Sequence, residues 1–229
     1  MALYTRGDLH LSLGSEKPMD IFGDKWKNHA EKLKKNFEIV GPDDITVLCG
    51  DHSWGMSLQE SLKDLQFINA LPGKKLLLKG NHDYWWGTAN KIKTFFEANG
   101  IDSLELLHNN AFSYGDYAIC GTRGWFYEEE KGGDHDKKIM NREIMRLEAS
   151  LKAAGDREKL VFLHYPPIYQ HYKCQEILDL LKKYGVRMCC YGHIHGKGTA
   201  FSFNGWREGT EFKLVSADFV DFKPVKLRF

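Results

Sequence analysis

Gly7-Asp8-Leu9-His10, Gly50-Asp51, Gly80-Asn81-His82-Asp83, the lone His164 and Gly192-His193-Ile194-His195 are five short blocks, each following a run of apolar residues. The runs, residues 2–5, 45–49, 74–79, 160–163 and 186–191, are β-branched or leucine-rich and read as buried strands. Side chains placed just past the ends of strands converge on one edge of a sheet, where open α/β proteins build their sites. Scatter along the sequence combined with one shared local context is therefore the feature to explain.

Working outward, the first third alternates strand and helix. Residues 26–40, 57–70 and 88–99 carry apolar side chains at helical spacing, with Pro72-Gly73 and Gly100 as stops after the last two. Residues 103–123 change to short alternating strands, with Tyr114-Gly115-Asp116-Tyr117 as a hairpin turn. A glycine-rich acidic loop over 121–136 precedes a charged helix over 137–154; residues 174–184 form another helix, and the tail over 198–229 reads as antiparallel strands. A β-α start joined to a β-rich second half, with no linker, repeat or low-complexity segment, predicts an α/β fold. Its form is a four-layer αββα sandwich of two mixed β-sheets flanked by helices, in a single domain spanning 1–229.

The bulk composition narrows the partners. There are 32 basic and 31 acidic side chains, a net charge of +1, so no general field draws long nucleic acid or an anionic membrane. No stretch approaches the roughly 18 apolar residues of a membrane span. Met1 to Arg6 run straight into the first block, which reads as a chain without a signal peptide. The five cysteines form no CxxC pair and read as buried reduced thiols of a cytoplasmic protein.

Block by block, the chemistry is that of metal ligation. Asp8 and His10 stand two apart, as do His193 and His195, and in extended backbone such pairs share a face. The two carboxylate oxygens of Asp51 suit a bridge between cations about 3.5–4 Å apart. Asn81 offers a neutral amide oxygen, while the adjacent His82 is free to face a substrate. Asp83 is placed to hold the His82 imidazole in one tautomer. Pro166-Pro167 after His164 gives that histidine a rigid setting. Each block alone is a common turn or cap; five in this order and context are not.

Together the blocks resemble the calcineurin-like metallophosphoesterase superfamily, whose pattern is D-x-H, G-D, G-N-H-D/E, H and G-H-x-H. The resemblance runs from about Leu3 to His195. It implies that Asp8, His10, Asp51 and His195 hold one metal ion and that Asp51, Asn81, His164 and His193 hold a second. His82 then matches the catalytic histidine, with Asp83 beside it and Asn81 and His82 contacting substrate; Arg123, read from its place after a strand and not from the resemblance, suits a phosphate contact or a structural salt bridge equally well. The implied reaction is hydrolysis of a small soluble phosphoester by a dinuclear centre, nucleotide-like esters being among the candidates. Oxygen and imidazole ligands suit Mn2+, the ion this reading favours, with Fe2+ and Zn2+ also compatible. Where some family members continue the second block as G-D-x-x-D, this chain has Gly50-Asp51-His52-Ser53-Trp54, which leaves His52 unassigned.

Two other readings stay open: a catalytically silent binding or scaffold protein on the same fold, and a nuclease. Retention of every ligand type argues against the first, and the neutral charge against the second. Trp54, Tyr84, Trp85, Trp86, Trp125 and Tyr127 fall in or beside the loops after the motif strands, where packing is a commoner role than stacking on substrate. Glu128, Glu129, Glu130, Asp134 and Asp136 give the segment 125–136 an acidic character that opposes polymer binding.

Overall fold

The computed structural model describes residues 1–125 and 133–229. In chain order the first elements are β1 (Leu3–Arg6), α1 (His29–Asn36), β2 (Ile45–Leu48), α2 (Leu62–Ala70), β3 (Lys74–Leu77), α3 (Ala89–Ala98) and β4 (Leu104–Leu106). β5 (Ala111–Tyr114), β6 (Tyr117–Thr122), α4 (Asp134–Ala153) and β7 (Glu158–Leu163) follow. The two-stranded pair β8 (Ile168–Tyr169) and β9 (Tyr172–Lys173) precedes α5 (Gln175–Lys183) and β10 (Met188–Tyr191). β11 (Gly205–Arg207), β12 (Thr210–Leu214) and β13 (Val225–Lys226) complete the chain.

Two mixed sheets form. One has the order β13-β1-β2-β3-β4 and the other β11-β12-β10-β7-β6-β5. In the first sheet β1 to β4 run parallel, and only β13 is antiparallel. In the second, β12, β10, β7 and β6 run parallel between antiparallel edge strands. Strand alternation explains how the sheets stack. Leu3, Val47, Leu160, Phe162 and Met188 all belong to one apolar cluster, which the two sheets share. Tyr4 and Leu48 point the other way, onto Leu33, Leu65, Ile68, Ile92 and Phe96 from α1, α2 and α3. Val161, Leu163 and Cys189 pack on Met140, Leu147, Ile177 and Leu181 from α4 and α5. Because both faces of each sheet are covered, the strands read as continuous apolar runs. Three apolar clusters separate four layers, the αββα sandwich expected.

Several boundaries differ from the sequence reading. The helix over 26–40 contracts to α1, with single 3-10 turns at Asp24–Trp26 and Phe37–Ile39, because Asn28 takes a left-handed backbone at φ 52°. The helix over 57–70 begins only at Leu62. Before it, residues 58–61 form turns, with the Ser57 hydroxyl accepting from the Glu60 N–H. α4 starts at Asp134, not 137; Asp134 and Asp136 lie in its first turn, where carboxylates meet the positive helix end. The rest of the acidic segment, Tyr127 to Glu130 included, lies outside the described residues. The tail is not purely antiparallel: it opens with a 3-10 turn at Gly196–Phe201, β12 runs parallel to β10, and β13 crosses to the first sheet. All five cysteines are buried and free.

Phe162 is fully buried in the cluster between the sheets. Phe162→Ala should destabilise by about 3–5 kcal/mol. Urea unfolding checks this, and a loss under about 1 kcal/mol would show that the sheets do not close on this ring.

Candidate metal centre

The five motif loops leave β1, β2, β3, β7 and β10 at the same edge of the sandwich. The first sheet brings Asp8, His10, Asp51, Asn81 and His82; the second brings His164, His193 and His195. Two groups result. Ligand atoms of Asp8, His10 and His195 lie within 4.8 Å of one another, and so do those of Asp51, His164 and His193. Asp51 sits between them, its Oδ2 being 3.7 Å from His10 Nε2 and 3.5 Å from His164 Nε2. Asn81 Oδ1 is 2.6 Å from His164 Nε2, beside the second group. All seven residues proposed as ligands therefore converge.

The local reason is not the one expected. Asp8, His10, Asp51 and His193 have φ of 60°, 45°, 54° and 74°, so the ligands of the first two blocks and His193 leave a left-handed backbone and not an extended one. The same-face argument for residues two apart is thus replaced. Asp8 and His10 still reach one group, but His193 and His195 divide between the two. Gly80 makes the tight loop possible, since a Cβ there would overlap the Asp51 carboxylate and its backbone N–H.

Hydrogen bonds outside the groups aim the imidazoles. His164 Nδ1 donates to the Cys49 carbonyl at 2.9 Å, turning Nε2 toward Asn81 and Asp51. His195 Nδ1 donates to Asp218 Oδ1 at 2.8 Å, and the Gly196 N–H donates to Asp218 Oδ2 at 2.7 Å. A carboxylate behind a ligating imidazole fixes its tautomer and raises its basicity. The sequence reading misses Asp218, which stands 23 residues past His195 in a tail that reads only as strands. The remaining signal, an acidic residue just after the apolar run ending at Val215, is too common to single it out.

The electrostatics fit cations. Asp8 and Asp51 are almost fully buried. Burial, then the charges of Asp83 and Asp8, push the Asp51 carboxyl well above the usual range, so its charge lacks compensation from the protein alone. Burial also opposes ionisation of Asp8, but His195 and the other imidazoles outweigh it and hold its pKa low. Burial lowers His195 too, yet Asp8 and Asp218 reverse this and raise it to about 10. Burial drives His10 far down and His193 to about 3, leaving both neutral and able to ligate. The imidazole nitrogens of His10 and His195 face each other at 3.3 Å. Buried carboxylates and converging nitrogens of this kind suit metal ions; Cys49 does not join them, its thiol being pushed to about 12 by burial.

The remaining predicted residues fare differently. His82 is half-buried beside both groups without entering either: its N–H donates to Asp51 Oδ1 at 2.8 Å, and its ring lies 4.4 Å from Trp54. Burial first, then His164 and Lys17, lower its pKa to about 4. Asp83 does not hold the His82 ring. It instead accepts N–H bonds from Asp51, Gly80 and His52 at 2.8–3.0 Å and from the Trp85 indole, tying the second and third blocks together. His52 is fully buried and donates to the Leu78 carbonyl, outside the site. Arg123 has partners other than substrate: its guanidinium lies 3.5 Å from buried Glu143, which also binds Arg146, and stacks near Trp125 at 4.8 Å. Its carbonyl accepts the N–H groups of His164 and Tyr165, so its backbone positions the fourth block.

A family model described as calcineurin-like phosphoesterase matches residues 6–197. The chain belongs to that family. Compared with curated proteins, the sequence has no match. Among solved structures it is similar to the phosphopantetheinyl hydrolase of Mycobacterium tuberculosis, with a TM-score of 0.61, 13% identity, and 99% and 95% of the two chains covered. It is also similar to a protein of unknown function from Aquifex aeolicus, with a TM-score of 0.53, 18% identity and coverage of 98% and 95%. TT1561 of Thermus thermophilus gives 0.54, 14%, and 85% and 82%. These likenesses establish the fold. Family and ligand clusters together point to a dinuclear divalent metal centre.

Asp218→Asn keeps the shape of the side chain and removes its charge behind His195. Metal affinity of the Asp8, His10 and His195 group should weaken about 10–100-fold. Titration calorimetry showing two unchanged binding events would remove Asp218 from the centre.

Proposed function

We propose that this protein hydrolyses a small soluble phosphoester at a dinuclear centre held by Asp8, His10, Asp51 and His195 on one side and Asp51, Asn81, His164 and His193 on the other. The observation that carries it is the position of the Asp51 carboxylate between the imidazoles of two ligand groups, each of which draws residues from both sheets. When bound, two divalent cations supply Lewis acidity, which activates water and neutralises phosphoryl charge. Mn2+ is our choice of ion, because carboxylate and amide oxygens stand among the ligands; the imidazoles also suit Fe2+ and Zn2+.

The chain's own contribution is positioning. Asp51 Oδ1 accepts from the His82 N–H, which ties the bridging carboxylate to the loop carrying the catalytic histidine. His82 Nδ1 lies 3.3 Å from the Tyr84 hydroxyl, leaving Nε2 to face the phosphoryl group. At neutral pH the ring is uncharged and offers one N–H to a phosphoryl oxygen; an anion placed there raises its pKa, so it can pass a proton to the leaving oxygen. Asp83 supports the reaction by holding the loop, not by touching His82. Asn81 contacts substrate only from the second metal group, and Arg123 is assigned to structure.

A small substrate agrees with the net charge of +1, which gives no basic track for a polymer. No helix among the described residues is long and apolar enough to cross a membrane. Buried, free cysteines support a reducing, cytoplasmic setting, and ligands drawn from both sheets support one catalytic domain over 1–229.

With the Mn2+-loaded protein, His82→Ala should leave metal content unchanged while kcat on bis-p-nitrophenyl phosphate falls about 10²–10⁴-fold. Unaltered turnover, or loss of metal, would reject the role given to His82. Asp51→Asn should lower occupancy of both ions, read by elemental analysis; two ions per chain in that variant would rule out the bridge.

A further inference from the structure

We propose that the cavity beside His10 and His195 is the subsite for the organic group of the phosphoester, and that this group is a flat ring system without negative charge. The inference rests on the phosphoesterase reading above and extends it to substrate class. The cavity has a volume of about 330 Å3 and opens onto His10, His82 and His195, so anything in it lies next to the reacting centre. Sites for small organic ligands begin at about this size.

Its other walls are Met19, Phe22, Trp26, Trp54 and Asp218. The aromatic walls are set differently. Trp26 is buried and packs edge-on against His195 and Phe222. Trp54 is buried and stacks on His10 with planes 22° apart, its indole N–H spent on the Met19 sulfur at 3.1 Å. Phe22 is 58% exposed, a ring presented to solvent at the rim of a cavity whose other rings are covered. Aromatic walls contribute most toward another π system, which meets them face-on or edge-on; a saturated chain gains only the area it buries.

Two polar groups define the rest of the occupant. Asp218 takes one donor on each oxygen, and a carboxylate has further lone pairs, so it can accept an N–H or O–H from the ring and repels an anionic one. Lys17, exposed on the segment leading to Met19, holds its ammonium 3.5 Å from the Trp54 ring centroid. The Trp54 ring lies 4.4 Å from that of His82, so this cation stands near the residue proposed to face the phosphoryl group. The walls therefore fit an ester with its anion at the metal ligands, its ring among the aromatic side chains and a hydrogen-bond donor toward Asp218.

A matched pair of esters tests this, since adenosine 5′-monophosphate and ribose 5-phosphate share the phosphorylated sugar and differ at the anomeric carbon, which bears adenine in one and a hydroxyl in the other. The Mn2+-loaded protein should prefer the first by about 10-fold or more in kcat/KM, and Phe22→Ala should reduce that preference severalfold. Independently of turnover, adenosine but not ribose should shift the indole N–H resonances of Trp26 and Trp54 in the metal-free protein. Equal kcat/KM for the pair, unmoved indole signals, a preference untouched by Phe22→Ala, or butyl phosphate cleaved faster than either would overturn the subsite. If neither ester nor bis-p-nitrophenyl phosphate is cleaved while adenosine still moves both indoles, the phosphoesterase reading falls and the ring subsite stands.

Discussion

Two carboxylates buried at the meeting edge of two sheets impose the constraint on which the rest of this structure depends. A buried charge is tolerated only when paired or coordinated, and the compensation here is uneven. Asp8 has the His193 N–H at 3.0 Å from both its oxygens, His195 at 3.6 Å, and the buried Arg6 nearby. Asp51 has the His82 N–H and, as neighbours, the like charges of Asp83 and Asp8. The protein thus neutralises one carboxylate largely by itself and leaves the other short of positive charge. That shortfall lies where Asp51 faces both histidine groups, and a pair of cations removes it.

The backbone bears a cost for that arrangement. Left-handed φ at Asp8, His10, Asp51 and His193 is tolerable for Asp and His, the types that adopt it most readily after glycine and asparagine, but it is held only where the surroundings dictate it. Here they do. The Asp8 and His10 N–H groups donate to the carbonyls of Gly50 and Asp51, and Asp83 gathers the N–H groups of three further loop residues. Asp83 therefore acts on the candidate ligands through the shape of the loop, which explains why an acidic residue beside His82 need not touch its ring.

Much of this was legible in the sequence, for physical reasons that also mark the limit. Strands buried on both faces leave apolar runs, and polar residues at their ends leave short punctuation, so the sandwich and the convergence of seven candidate ligands at one edge are both visible. What cannot be seen is partnership across the fold. Asp218 reaches His195 only because β12 runs parallel to β10, whereas an antiparallel tail would have sent it elsewhere. For Arg123, which follows a strand, the sequence leaves a phosphate contact and a salt bridge equally open; its neighbour at 3.5 Å, buried Glu143, lies twenty residues on in α4. Met19, Phe22 and Trp26 carry no motif, and their place beside His10 depends on 3-10 turns that hydrophobic spacing resolves poorly.

The division of labour between the sheets has a consequence for folding. The first sheet supplies both carboxylates and the second supplies three of the four imidazoles, so each half alone presents an incomplete ligand set. Protein bonds also link the halves, among them Gly7 N–H to the Val215 carbonyl, His164 to the Cys49 carbonyl, and His193 N–H to Asp8. Cations that bind only the assembled edge draw their free energy into the sheet–sheet interface, since a ligand at 100 times its Kd adds about 2.7 kcal/mol. The layer of Leu3, Phe162 and their neighbours and the metal centre at its rim are thus coupled, one holding the sheets together by apolar burial and the other by charge.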